Sequence, residues 1–450
     1  MEFGKGHTIY FLGIGGIGMS ALARYFKHRG AVIAGYDRVA TPLTTMLERE
    51  GMQIHYADDP SSLPQTIDLV IYTPAIPTDN NEFLTLKARG ITMKKRAEIL
   101  GMLSETYYTI AIAGTHGKTT ITAMTTYILQ TSGINVIGFI GGIANNFDNN
   151  LVLGDGEETV MVVEADEFDH SFLQLTPDIA VVSSVDADHL DVYGKQESVA
   201  EGFQLFVERI NDLGLLIYKN GLPLQTEHDS LTFGTDSRSD FYAENIHIEN
   251  GKTVFTLCIP NREKTIVKLP MIGTYNVLNA LAAAAVSNEF NIKPNEIAQA
   301  LETFKGVRRR FDIRVNSSNY CYIDDYAHHP EEIKAFLTAV RDFYPDKKIT
   351  VVFQPHLFTR TRDFMDAFAE SLSLADRLIL LDIYPAREKP IEGVSSKILM
   401  EKVELSEKQL CSKQELLNCI EKLKPELLIT MGAGDIDCFV EPLEKMIAEW

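Results

Sequence analysis

The 450 residues exceed what one hydrophobic core can organise, and at about 150 residues per domain they predict roughly three domains. With 45% hydrophobic and 23% charged residues, each domain can bury a normal interior. The 42 Lys and Arg against 62 Asp and Glu leave a formal charge of -20, which argues against nucleic acid or an anionic membrane as partner and means that any anionic ligand must be held by local features.

From Thr8 the pattern runs strand (IYFLGI), helix (Ile17 to His28), strand (Ala31 to Tyr36), helix (Leu43 to Glu50), an apolar run at Asp68 to Tyr72 and a helix at Arg96 to Leu103. Alternating strands and 3.6-period helices predict βαβ units on a parallel sheet. A second α/β block opens with the strand Tyr108 to Ala113 and the helix Thr119 to Gln130, followed by strands near Asn135 to Phe139, Val160 to Glu164 and Ile179 to Ser183. It continues through an antiparallel-looking insertion, Phe241 to Ile248 and Val254 to Ile259, to the alanine-rich helix Tyr275 to Val286. The last block carries strands at Tyr320 to Ile323, Ile349 to Phe353, Arg377 to Leu381 and Leu427 to Met431, a further doubly wound unit. The expected domains are residues 1–107, 108–312 and 313–450.

Five widely spaced cysteines, with no C-x-x-C pair for zinc or a redox couple, are read as reduced thiols. The apolar stretch Ile9 to Ala23 is interrupted by four glycines and followed by no cleavage site, and no run reaches the ~18 to 20 apolar residues of a membrane span. The expected location is the cytoplasm.

"GIGGIGMS", Gly13 to Ser20, lies between a strand and a helix, where glycines let backbone amides approach a diphosphate at the helix N-terminus. The candidates are Gly13, Gly15, Gly16, Ile17 and Gly18, with Asp37 at the end of the next strand as partner for a ribose hydroxyl. Such a turn also serves close helix–strand packing, and by itself it does not say which nucleotide binds.

"GTHGKTT", Gly114 to Thr120, also follows a strand and opens a helix. Here amides and helix dipole would cradle phosphate, Lys118 would reach the terminal phosphate, and Thr119 would offer its hydroxyl to Mg²⁺. Only the G-x-x-G-K-T core of the usual phosphate-loop pattern is present, since Ile112 stands five before Gly117. Two acidic clusters follow apolar strands: Glu164, Asp166, Glu167 and Asp169, then Asp186, Asp188, His189 and Asp191. Adjacent parallel strands place ligands at their carboxyl ends, so a metal site is favoured over solvated loop charges.

Taken together, "GIGGIGMS", "AGTHGKTT", "EADEFDHSFL", "VDADHLDVYG", "YNVLNALAA", "GVRRRFD", "DDYAHHP", "FQPHLFTRTRDF" and "DIYPAREKPIEGVS" resemble the Mur ligases over nearly the whole chain. The resemblance implies an N-terminal Rossmann-like domain holding a UDP-sugar, a central ATPase with a mostly parallel sheet, and a C-terminal Rossmann-like domain bringing the amino acid. The implied reaction is ATP-dependent ligation of L-alanine to the lactyl carboxylate of UDP-N-acetylmuramate through an acyl phosphate, by a monomer or weak homodimer.

By the same resemblance Gly114, Thr115, His116, Gly117, Lys118, Thr119 and Thr120 hold ATP phosphates, while Asn276 and Asn279 recognise adenine. Arg310 reaches the terminal phosphate and Asp324 the ribose. Thr119, Glu164 and His189 hold magnesium, and Thr73 joins the UDP-sugar site. Tyr326, His328 and Arg360 line the amino-acid site, with His328 and His189 as candidate bases.

Three departures matter. Leu357 stands where the family often has arginine after "FQPH", and Tyr275 where histidine is common. Gln204 occupies roughly the place where several sister ligases carry a carbamylated lysine, which argues against those sisters. A closer rival attaches a whole tripeptide to the same UDP-sugar. From other classes, a nicotinamide oxidoreductase would leave Lys118 and its acidic partners unexplained, and a nucleotide-binding regulator would never release phosphate.

Overall fold

Strands alternating with helices build three sheets, in accord with the α/β expectation. The structure, a computed structural model, describes residues 3–156, 158–186, 196–386 and 388–450. The chain forms two compact units, one of residues up to Ile246 with Val254–Lys268 and Val277–Lys305, the other of His247–Thr253, Leu269–Asn276 and Gly306–Trp450.

The first unit holds two of the site-bearing edges. Its N-terminal sheet has the order β3-β2-β1-β4-β5, with β1 Thr8–Leu12, β2 Val32–Tyr36, β3 Gln53–His55, β4 Leu69–Tyr72 and β5 Met93–Lys95, all parallel. The chain order reverses between β1 and β4, the crevice where such sheets bind ligands. Helices α1 (Ile17–His28), α2 (Pro42–Arg49), α3 (Asn81–Ala88) and α4 (Arg96–Ser104) connect the strands. The three-residue strands β3 and β5 and helix α3 have no counterpart in the sequence reading; "QIH" and "MKK" are too short and polar to show a period.

α1 is buried on nearly every side, from Met19 through Phe26, because it packs on its own sheet and on the strands β7 (Val136–Ala144) and β8 (Asn149–Val152). That explains the near-continuous apolar character of its sequence. The polar members of this interface are fully partnered. Asn150, with no exposed surface, donates to Ile17 O at 2.6 Å and Ser20 Oγ at 2.9 Å, and accepts from Arg24, whose guanidinium also clasps Glu50.

The second sheet has ten strands in the order β15-β14-β13-β12-β11-β10-β6-β9-β7-β8. Its middle is β6 (Tyr108–Ala113), flanked in parallel by β9 (Val160–Glu164) and β10 (Ile179–Val182). β7 continues parallel to β9, and β8 closes that edge antiparallel. On the other side β11 (Leu215–Lys219), β12 (Asp229–Gly234) and β13 (Phe241–Glu249) pair in parallel, so the expected insertion joins the sheet through a parallel neighbour. β13 turns into β14 (Lys252–Cys258) through Asn250-Gly251, both at positive φ (49° and 77°), the conformation a two-residue hairpin demands. β15 is Thr265–Leu269.

The third sheet, in the second unit, has the order β16-β17-β21-β18-β19-β20. β17 (Cys321–Asp325), β21 (Leu427–Met431), β18 (Ile349–Phe353), β19 (Arg377–Leu380) and β20 (Lys408–Leu410) are parallel. β16 (Asp312–Asn316) runs antiparallel at the edge, an addition to the doubly wound pattern that "DIRVN" does not announce. All five cysteines are free thiols, and no helix among the described residues is long and apolar enough to cross a membrane.

Replacing Asn150 by Ala removes both donations to α1 and leaves a buried guanidinium nitrogen without its acceptor. We expect a loss of about 2 to 3 kcal/mol in urea unfolding; a change within about 0.5 kcal/mol, as for an ordinary surface position, would contradict this account of the interface.

Candidate functional site

The first glycine loop follows β1 at the switch point. Gly13 has φ 86°, and a side-chain carbon there would lie 2.7 Å from Thr73 Cγ2, so the expected residues Gly13 and Thr73 sit together because β1 and β4 are neighbours. At Gly15 a Cβ would meet Thr44 Cγ2 at 2.6 Å and Asp37 Oδ2 at 2.8 Å. Asp37 accepts the Gly15 amide at 2.7 Å and, through its other oxygen, the Arg38 amide at 2.8 Å. Its carboxylate thus braces the loop, a use the sequence reading did not give it. Gly16 precedes α1 as its N-cap, and Ile17 is the first helical residue.

The second loop turns between β6 and helix α5 (Lys118–Thr131). Gly114 (φ 137°) and Gly117 (φ 86°) supply conformations that other residues resist. A Cβ on Gly114 would fall 2.1 Å from Ser183 Oγ, and one on Gly117 would fall 2.5 Å from Asn279 Oδ1. The loop is strapped to the end of β10. Thr115 N donates to Ser184 O at 3.3 Å, His116 N donates to Ser184 Oγ at 2.8 Å, and Thr115 Oγ1 lies 2.8 Å from Ser184 Oγ. Asp186 N donates to Thr115 Oγ1 at 3.1 Å, and Asp186 Oδ2 lies 3.5 Å from His116 Nε2. Thr115, Thr119 and Thr120 are all buried.

Lys118 Nζ donates to Gly114 O at 2.7 Å and to both oxygens of Glu167, at 2.8 and 3.0 Å. Glu167 is buried. Burial would pull the lysine down, but the charges of Glu167, Asp166 and Glu164 outweigh it and hold the ammonium above its ordinary range. Glu164, at the tip of β9, accepts the Gly141 amide at 2.5 Å, and a Cβ at Gly141 would strike both its carboxylate oxygens at 2.4 and 2.5 Å. The expected acidic strand end therefore gathers around the expected lysine. Asp188, His189 and Asp191 lie outside the described residues, as does the side chain of Asp169.

Asn279 lies against the second loop at Gly117, whereas Asn276 is buried with its Nδ2 donating to Ile272 O at 2.7 Å. Gln204 pairs with the backbone of Gln225 in both directions, at 2.9 and 3.1 Å.

In the second unit the loops after β17, β18 and β21 meet. Asp324 has no exposed surface and both oxygens are occupied, Oδ1 by Thr430 Oγ1 at 2.6 Å and Oδ2 by Arg309 Nε at 3.2 Å. In this arrangement it anchors Arg309, which also donates to Gly432 O at 2.5 Å. Burial pushes Asp324 up to about 6 against the pull of Arg309, and Asp325 up to about 7 against that of Arg310. Asp325 accepts the Phe311 and Ala327 amides at 2.7 and 2.8 Å.

Tyr326 carries Arg310 over its ring at 4.9 Å and Arg309 at 5.2 Å, and meets His328 edge-on at 5.1 Å. His328 Nδ1 is 3.0 Å from Tyr326 O, and since a carbonyl only accepts, Nδ1 carries a proton there. His356, not singled out in the sequence, stacks on Tyr384 at 5.7 Å and lies 6.1 Å from His328. Burial, helped by the Arg360 charge, lowers it to about 4, so it is neutral near pH 7. Leu357 adopts φ 70°, held by its amide to Tyr384 O at 2.9 Å and by Thr361 Oγ1 on its carbonyl at 2.7 Å.

Ser183, Ser184, Arg309 and His356 are the residues sequence reasoning missed as site members, and Glu167, expected only among the acidic candidates for a metal, is the direct partner of Lys118. The two serines follow an apolar strand whose neighbour is the phosphate-loop strand, which is the signal that was available.

Profiles of one family match the chain in order: the Mur ligase family catalytic domain over residues 8–108, the Mur ligase middle domain over 112–287, and the Mur ligase glutamate ligase domain over 309–434. The chain is 47% identical over 444 residues to a UDP-N-acetylmuramate–L-alanine ligase of Christiangramia forsetii, covering 97% of each. It is 46% identical to the enzyme of that name in Flavobacterium psychrophilum, covering 100% of each. Among solved structures, the UDP-N-acetylmuramate–alanine ligase of Thermotoga maritima matches with a TM-score of 0.83 at 27% identity over 98% of each chain. A murein peptide ligase of Psychrobacter arcticus shares the fold, with a TM-score of 0.74 at 23% identity over 99% of each chain.

Asp325 titrates near 7 folded against an ordinary 3.8, so the native state binds the extra proton between those values. This contribution to stability is complete below about pH 4 and is lost as pH rises through about 7. Calorimetric melting of the wild type should therefore fall more between pH 5.5 and pH 8 than that of Asp325→Asn; equal slopes would contradict the assignment.

Proposed function

The chain belongs to the Mur ligase family, and from that premise we infer that it joins L-alanine to the lactyl carboxylate of UDP-N-acetylmuramate at the expense of ATP, in peptidoglycan precursor synthesis. The observation that carries this reading is the pair of glycine loops within one unit, the second with a charged lysine set among three carboxylates. One loop suits the diphosphate of the sugar nucleotide and the other the triphosphate being consumed.

The lactyl carboxylate attacks the terminal phosphate, giving an acyl phosphate and ADP; the alanine amine then attacks the acyl carbon and phosphate leaves. Such a transfer needs chiefly positioning and charge neutralisation. Gly114 to Thr120 turn amides and the start of α5 toward the phosphates, and Lys118 exchanges Glu167 for a phosphate oxygen. A triphosphate entering beside Glu164, Asp166 and Glu167 meets like charge that Lys118, with Arg96 beside Asp166, does not offset, so the donor set fits a divalent cation. Thr119, Glu164 and His189 would hold Mg²⁺, which when bound would offset the phosphate charge. Asn279 and Asn276 serve the adenine, and Arg310 the phosphate charge.

Gly13 to Gly18, with Thr73, hold the sugar nucleotide. In the second unit, Arg360 supplies the cation for the alanine carboxylate, beside Tyr326 and His328. His328 is the proposed base for the amine; His356, lowered to about 4, is too weak a base near neutrality. The relatives named for L-alanine ligation, aligned over essentially the whole chain, favour alanine over a tripeptide. The cytoplasm is the proposed site of action.

Lys118→Ala should abolish phosphate release that depends on L-alanine and UDP-N-acetylmuramate while circular dichroism shows a folded chain. Full turnover by this variant would overturn the reading.

A further inference from the structure

Two of the five thiols lie together. The β20 ladder runs one residue past the strand, the Cys411 amide donating to Leu380 O at 3.0 Å, so Gln409 and Cys411 stand on the same face. The helix Leu416–Leu423 covers that face: Gln409 Nε2 donates to Cys419 Sγ, and Cys411 and Cys419 pack against one buried cluster that includes Leu416 and Ile420. The Cys411 thiol donates to Ser412 O at 3.3 Å and has Cys419 within hydrogen-bonding reach; burial first, and that neighbour next, push it up to about 11. Only residues 412–418 separate the pair in the chain, so joining them closes a small ring at little cost in chain entropy. Both are partly exposed, whereas Cys258 and Cys321 are buried.

The strap that begins at Cys411 ends against the amino-acid side of the unit. Lys413 Nζ donates to Asp435 Oδ2 at 2.6 Å and lies 5.8 Å from the Tyr384 ring. Tyr384 stacks on His356, which lies 6.1 Å from His328. Asp435 is held in turn by Gln354, fully buried, at 2.8 Å.

We propose that Cys411 and Cys419 form a thiol–disulfide site, closed by a low-molecular-weight disulfide and reopened by thiols, and that closure weakens the hold on the amino acid by drawing Lys413 off Tyr384. The second half rests on the reading that Tyr326, His328 and Arg360 line the amino-acid site. A sulfur–sulfur bond of about 2.05 Å is far shorter than the contact of two thiols, so closure pulls Cys411 and the helix together. Cys411, protonated near neutrality, is the poorer first nucleophile. The Cys419 thiolate therefore attacks the small disulfide and expels one thiol; Cys411 then gives up its proton, attacks Cys419 Sγ and expels the second. Two protein thiols are oxidised to one disulfide, and the small disulfide is reduced to two thiols.

Equilibrating the full chain with oxidised glutathione, then alkylating and mapping tryptic peptides by mass spectrometry, tests it. The Cys411 and Cys419 peptides, which trypsin separates after Lys413, should appear joined and lighter by two hydrogens, and dithiothreitol should part them. In phosphate release, KM for L-alanine should rise about 3- to 10-fold in the oxidised chain, the scale of one cation–ring contact, while KM for ATP holds. Reduced Lys413→Ala should show the same rise without oxidation, and Cys419→Ser should keep the reduced wild-type KM before and after treatment. Glutathione adducts without the link between Cys411 and Cys419, or a linked chain whose KM for L-alanine equals that of the reduced chain, would overturn the proposal. A reduced chain that releases no phosphate with L-alanine would instead strike down the functional reading, and the mapped link would still decide the thiol pair.

Discussion

Lys118 is a cation enclosed in a protein of net negative charge, and the geometry of the first unit's catalytic edge is set by what balances it. Glu167 and the carbonyl of Gly114 hold the ammonium, while Glu164 and Asp166 add field from farther away. A buried ion pair of this kind contributes little to stability on its own, because desolvation offsets much of the attraction. Its value lies in poise: the lysine stays charged at every physiological pH, and a phosphate oxygen can take over the place of a carboxylate oxygen without the lysine losing its charge partner. Three acidic residues around one lysine leave an excess of negative charge on this edge, which is the ground for the divalent cation proposed there.

The glycines of both loops are small for individual reasons. Thr73 crowds Gly13, Asp37 and Thr44 crowd Gly15, Arg96 crowds Gly18, Ser183 crowds Gly114 and Asn279 crowds Gly117. Each neighbour comes from a different strand end or helix, so the loops act as junctions where separate elements are fixed against one another. Asn150 extends this upward in scale, joining β8 to the first turn of α1 through a fully buried polar network. A parallel sheet with a reversal in strand order delivers these neighbours together, since the loops leaving adjacent strands open on the same edge.

Much of this was legible in the residues. Long apolar strands such as Tyr108–Ala113 and helices such as Ile17–His28 declared themselves by period, and both glycine loops by their place between strand and helix. Short elements such as Gln53–His55 did not, because three residues carry no period and their pairing is set by the sheet they join. Among site residues, Lys118 and Glu164 were visible from motif and position, whereas Glu167 required knowing which carboxylate of "EADEFD" turns inward. Asp324 and Asp325 look alike in "DDYAHHP", yet one is spent on Arg309 and Thr430 and the other on two backbone amides, a distinction that only packing makes. Arg309 and Arg310 both lie over Tyr326, and Arg309 is engaged as well by Asp324 and Gly432.

The central claim is that the Lys118 ammonium leaves Glu167 for the terminal phosphate of ATP. The most direct measurement is a crystal structure of the full chain with magnesium, a non-hydrolysable ATP analogue and UDP-N-acetylmuramate. The account predicts the terminal phosphate on Lys118 Nζ and on the amides of the Gly114–Thr120 turn, with the diphosphate of the sugar on the Gly13–Gly18 turn. A triphosphate bound elsewhere, with Lys118 still clasped by Glu167, would contradict it.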